Sequence, residues 1–106
     1  MILAIDFDET LHDRQHPKPG MKMGAPIEGA VEAMQALKAA GNILIIHTFW
    51  PPDRQEHVRT WLDYYKIPWD DVTNVKPNAA VFLDDRAVRF TGDWTKALED
   101  IYKYGT

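Results

Sequence analysis

Apolar residues fall along this chain in two rhythms, short unbroken runs and longer stretches of helical period. Ile2-Leu3-Ala4-Ile5 is an unbroken run, as expected of a strand buried on both faces. It stops at Asp6-Phe7-Asp8-Glu9-Thr10. The segment Leu11 to Ala25 is polar and carries Pro17, Pro19, Gly20 and Gly24, so a loop or flap is expected there. From Pro26 to Ala40 the residues Ile27, Val31, Met34 and Leu37 share one helical face, with Pro26 suited to a first turn and Gly41 to a stop. Ile43 to Ile46 is a second strand run, leading into His47-Thr48 and the breaker Pro51-Pro52. Val58, Trp61, Leu62 and Tyr65 mark a helix over about 53–65. A short strand is expected at Val72 to Val75, closed by Lys76-Pro77. Ala80 to Leu83 is a further apolar run that ends in Asp84-Asp85. Trp94, Leu98 and Ile101 give the last helix, over about 94–102, with start signals in Thr91 to Asp93.

Buried strands alternating with amphipathic helices predict an α/β fold, a Rossmann-like parallel sheet in a three-layer α/β/α arrangement. With 106 residues and no repeat, low-complexity tract or linker, a single domain over 1–106 is expected.

Composition narrows the chemistry. The chain has no cysteine, which removes disulfides, thiolate metal sites and thiol nucleophiles. Its net charge of −4 argues against bulk nucleic-acid binding, which draws on many Lys and Arg contacts to phosphate. No membrane span or targeting segment is visible, so a cytoplasmic protein is expected.

The polar residues that end the strand runs are the candidates for chemistry. Asp6 and Asp8 end the first run, Thr48 follows the second, Lys76 follows the weak third, and Asp84 and Asp85 end the fourth. Singly, each reads as a turn former, a cap or a solvated side chain. In an open α/β sheet all of them lie beyond the carboxyl ends of the strands, where ligands bind. Four carboxylates at one edge repel one another unless a cation intervenes. An oxygen donor set with Lys76 beside it suits a hard ion such as Mg²⁺. His47 reads as a structural group at the end of its strand.

These motifs resemble the haloacid dehalogenase-like (HAD) superfamily of phosphohydrolases. The resemblance rests on Ile2 to Thr10 as an apolar strand followed by D-x-D-x-T, and on Ile43 to Thr48 as a strand ending in Thr. It rests further on Lys76-Pro77 and on Val81 to Asp85 as a strand followed by two acids, so it spans about residues 1 to 90. It implies a Mg²⁺-dependent phosphomonoester hydrolase that works through an aspartyl-phosphate on Asp6. Asp8 would be the general acid and then the base, while Thr48 and Lys76 would hold the phosphoryl group. The implied metal ligands are the Asp6 carboxylate, the Asp8 backbone carbonyl and the acid pair, Asp85 directly and Asp84 through water or on Lys76. Thr10 would shape the turn. The intervals after the first and second motifs are too short for a cap domain, so a capless, open site is expected.

Beyond the motifs, His12, Arg14, His16, Lys18 and Lys22 form a basic cluster after the first strand. They read as a solvated loop or as a second anion contact for the substrate. Arg86 is a further candidate for substrate binding. Phe49-Trp50 stands where relatives of the family carry Arg or Gly, and reads equally as a leaving-group pocket or as edge packing. The expected partner is a phosphorylated small molecule or an exposed phosphoester. The alternatives are a phosphatase of nucleic-acid ends, a catalytically silent phosphate-binding scaffold, and a receiver-like phosphate sensor, whose motif order differs. A calcium loop fails because Leu11 and Pro17 stand where that loop needs Gly and Glu.

Overall fold

The computed structural model describes residues 1–17, 19–20 and 22–105. Along the chain run β1 (Ile2–Asp6), β2 (His12–Pro17), β3 (Gly24–Pro26), α1 (Ala30–Ala39) and β4 (Ile43–His47). They are followed by α2 (Gln55–Tyr64), β5 (Asp71–Thr73), β6 (Val81–Leu83) and α3 (Trp94–Tyr104). Four of the strands form one parallel sheet in the order β5-β4-β1-β6, and β2 and β3 pair as an antiparallel hairpin. Among the described residues, no helix is long and apolar enough to cross a membrane.

The two central strands are the two longest apolar runs, and each is paired with a neighbouring strand on both edges. The register is continuous from Ile2↔Ile43 to Asp6↔His47, and from Leu3↔Val81 to Ile5↔Leu83. Side chains alternate along a strand, so the odd-numbered β1 residues share a face with even-numbered β4 residues. That face is the core. Leu3, Ile5, Phe7, Leu44 and Ile46 pack there with Met34 of α1 and Val58, Trp61 and Leu62 of α2. The chain steps from β1 to β4 to β5 in one direction, and right-handed crossovers then place α1 and α2 on the same face. On the other face Ile2, Ile43 and Phe82 remain exposed.

Three local expectations change. The segment expected as a loop holds the β2–β3 hairpin; β2 is polar and largely exposed and β3 is only three residues long, so neither shows the apolar alternation that marks a strand in sequence. Pro26 closes β3 instead of opening α1, which begins at Ala30 after Gly29 in the left-handed region at φ 85°. The second helix opens with a 3₁₀ turn over Pro52–Arg54, before α2 proper.

One surface contact ties these pieces together. Asp70 accepts the backbone N–H of Leu44 at 2.7 Å and the ammonium of Lys38 at 2.8 Å. It thereby joins α1, β4 and the approach to β5.

Candidate functional site

The register decides which acids meet. Because Ile5 pairs with Leu83, Asp6 leaves β1 beside the point where Asp84 and Asp85 leave β6. Asp6, Asp84 and Asp85 each present a carboxylate oxygen, and these oxygens lie within 4.8 Å of one another. They could hold a hard divalent cation, since every donor is a carboxylate oxygen.

The turn after β1 is set by backbone bonds. The carbonyl of Phe7 accepts the N–H groups of Leu11 and His12, both at 2.9 Å. Glu9 takes a positive φ of 62°, and the Thr10 hydroxyl donates to Asp6 Oδ2 at 3.3 Å. Thr10 therefore shapes the turn and also touches Asp6.

Asp8 is gripped at both oxygens. His12 Nδ1 lies 2.7 Å from Oδ1, and Trp50 Nε1–H donates to Oδ2 at 3.2 Å. The N–H of Gly24 donates to His12 Nε2 at 2.9 Å. That nitrogen is therefore the acceptor, and the proton of the neutral ring sits on Nδ1, facing Asp8. Trp61 Nε1–H donates to the carbonyl of the same Gly24 at 2.9 Å, and the His12 ring stacks on Phe7. Hairpin, β1 turn and α2 are thus locked around Asp8.

A cleft of about 320 Å³ is lined by Asp6, Asp8, Glu9, Arg14, Phe49, Asp85 and Arg86. It brings together five of the candidates from sequence: Asp6, Asp8, Asp85, Arg14 and Arg86. Asp84 stands beside them, its Oδ1 accepting the N–H of Arg86 at 2.8 Å. The Arg14 guanidinium lies over Phe49, 5.3 Å from the ring centroid, and the Arg14 N–H donates to Glu9 Oε1.

Thr48 and Lys76 are not among the residues that line the cleft. Thr48 is buried, and its Oγ1 accepts the N–H of Trp50 at 3.2 Å, a turn contact. The Lys76 ammonium sits 4.9 Å from the Phe82 ring centroid. Among the described residues it forms no ion pair with Asp6, Asp84 or Asp85.

The basic cluster disperses along the hairpin, each member meeting different neighbours. His12 is buried, His16 pairs with Asp13, and Lys22 lines a separate hollow with Trp50, Arg54 and His57. Of this cluster, Arg14 reaches the cleft. Lys18 lies outside the described residues.

The electrostatics of the acids is strained. Asp6 is pushed up from 3.8 to about 7. Partial burial is the largest cause, followed by its hydrogen bond with Asp85 and the charges of Asp84 and Asp85, with the Phe7 N–H pulling the other way.

Sequence reasoning missed the roles of His12 and Trp50. The spacing of His12, four residues past Asp8 across a Thr-Leu turn, is a signal that could have placed it. Trp50 carries no local signal, since it meets Asp8 from the bend after β4.

No family model matches the chain, and no curated protein matches it. Among solved structures it is similar to one described as the conserved protein coded by a locus from Bacteroides thetaiotaomicron. The two share 23% identity at a TM-score of 0.69, over 100% of this chain and 92% of that chain. At that identity the likeness reaches the fold: a small α/β domain built on a parallel four-stranded sheet with a hairpin and three helices.

Proposed function

We propose that this chain is a Mg²⁺-dependent phosphohydrolase of the capless HAD-like type, with Asp6 as nucleophile. The observation that carries the reading is the meeting of Asp6 with Asp84 and Asp85 at the carboxyl ends of neighbouring strands, in a cleft that Arg14 and Arg86 also line.

In this reading Asp6, Asp85 and Asp84 would hold Mg²⁺, which would supply positive charge to offset the phosphate and the ionised Asp6. Arg14 and Arg86 bind the phosphate dianion from the cleft wall, a task their planar donors suit. An Asp6 oxygen attacks phosphorus, and the bond to the leaving oxygen breaks. That oxygen takes a proton from Asp8. A water then attacks the aspartyl-phosphate, giving its proton back to Asp8, and inorganic phosphate leaves with the Asp6 carboxylate restored. Such acid–base help is worth about 10²–10⁴-fold. His12 and Trp50 hold the Asp8 carboxyl in one orientation throughout. The cleft is open, so it suits an accessible phosphomonoester.

A second reading, a phosphatase of nucleic-acid ends, draws on the hollow of about 430 Å³ beside Trp50, where Lys22, Arg54 and His57 also stand. A planar, anionic leaving group would fit cations set against an indole.

The test is turnover of an aryl phosphate with and without Mg²⁺, in the wild type and in Asp6→Asn and Asp8→Asn. Mg²⁺-dependent turnover lost in both variants supports the reading. Absence of turnover together with absence of beryllofluoride binding in Mg²⁺ rejects it in favour of a silent scaffold. Turnover of oligonucleotide 3′-phosphates that falls steeply with salt would favour the second reading.

A further inference from the structure

The molecule exposes more surface than a chain of its mass needs. Its accessible surface is 7452 Å², against about 6,100 Å² for a folded monomer of this size. Its radius of gyration is 15.0 Å, against about 13 Å for a compact domain of this length.

Exposed apolar residues gather in two places. The first is the sheet. None of the three residues of β6, an edge strand, is buried. On the face away from α1 and α2, Ile2, Ile43 and Phe82 are 37%, 46% and 42% exposed. The second is α3. Trp94, Leu98 and Ile101 form one apolar stripe at helical spacing, yet they are 69%, 51% and 48% exposed. Of this helix only Ala97 is buried. The end of α3 stands off from residues 85–88 across a hollow of about 590 Å³.

A sheet face without a helix and a helix without a sheet are complementary halves of one contact. Each copy of the chain carries both halves. We propose that a second copy of this chain covers them, in a two-fold dimer where α3 of each protomer lies against the open sheet face of the other. A two-fold interface needs such self-complementarity. The area allows it: the accessible surface lies about 1,400 Å² above the monomer trend, more than the roughly 800 Å² that each partner gives to a standard interface. The charge agrees as well. The segment 86–105 carries Arg86, Arg89, Lys96 and Lys103 against Asp93, Glu99 and Asp100, so it is nearly neutral in a chain of net charge −4. Two copies meet there without the repulsion that the rest of the acidic surface imposes. Docking also pins β6, the strand that presents Asp84 and Asp85. The dimer does not depend on the phosphohydrolase reading.

Sedimentation equilibrium from about 10 to 200 µM tests this, a range in which a standard-size interface is expected to be filled in the wild type and empty in the variants. The wild type is expected at twice the chain mass of 12.2 kDa. Leu98→Asp, an exposed helix position that folding does not need, is expected at the single-chain mass with its far-ultraviolet circular dichroism retained. Phe82→Asp is expected to do the same from the sheet side. A wild type that stays at 12.2 kDa across the range overturns the proposal. So does a dimer that folded Leu98→Asp leaves intact.

Discussion

His12 and Asp8 face each other across a four-residue turn, Nδ1 to Oδ1 at 2.7 Å, and both are withdrawn from solvent. The contact is specific because the other ring nitrogen is already taken by the Gly24 N–H. One imidazole therefore fixes a carboxylate on one side and the second strand of the hairpin on the other.

Replacing His12 by Ala is expected to destabilise the fold by about 2–4 kcal/mol, from a cavity beside Phe7 and Trp61 and from the stranded Gly24 N–H. Urea denaturation measures it. Trp50→Phe keeps an aromatic ring at a half-buried position but loses the pyrrole ring and its donor to Asp8, so its cost is expected to stay below that of His12→Ala, at about 1 kcal/mol. Equal losses in the two variants would mean that the His12 bonds carry no special share.

Asp6 sets the pH dependence of the metal-free protein. Its folded pKa of about 7 lies above the unfolded value of 3.8, so the native state holds a proton that the unfolded chain releases. Stability from this group is full below the unfolded pKa and is lost as pH rises through about 7. Asp6→Asn removes the loss. It is expected to be more stable than the wild type at about pH 8 by roughly 1–3 kcal/mol, a figure reduced for partial solvent screening, and equal to it near pH 4. Denaturation in EDTA at fixed protein concentration, at both pH values, decides; superimposable curves at the higher pH would count against the strained acid cluster.

Adding Mg²⁺ relieves the same repulsion, so it is expected to raise the melting temperature of the wild type. At about a hundredfold excess over the dissociation constant the gain is about 2.7 kcal/mol. Binding displaces the Asp6 proton, so the gain is larger at about pH 8 than at about pH 6. Asp85→Asn is expected to lose most of it. Thermal shifts in MgCl₂, against NaCl of matched ionic strength, provide the reading, and a shift equal in Asp85→Asn would place the ion elsewhere.

Asp70 has the opposite slope. The Leu44 N–H and then the Lys38 ammonium hold its carboxyl below the usual range. Its contribution is present above the unfolded pKa and is lost as pH falls through the folded one. Asp70→Ala is expected to cost about 1 kcal/mol at neutral pH and to approach the wild type in acid. A cost that stayed constant down to about pH 2 would locate the effect in packing instead of charge.

Much of the architecture was legible in the chain itself. The unbroken runs Ile2 to Ile5 and Ile43 to Ile46 announced central parallel strands, and Asp6, Asp84 and Asp85 stood at strand ends where the acids do converge. Burial of a strand is written in consecutive residues, so a local pattern suffices to read it. The polar hairpin was not legible, because strands exposed on both sides leave no alternation to read.

Side-chain partnership was decided only by the tertiary structure. That His12 turns inward to Asp8, that Trp50 reaches the same carboxylate from the bend after β4, and that Lys76 rests on Phe82 depend on register, crossover hand and the depth of each side chain. So does the exposure of Ile2, Ile43 and Phe82 on the sheet face opposite α1 and α2: the residues of α3 make it amphipathic wherever it sits, but whether its stripe finds a partner within the chain is a matter of where the chain turns after β6. A residue's type and spacing set what it can do; the long-range packing sets what stands within reach of it.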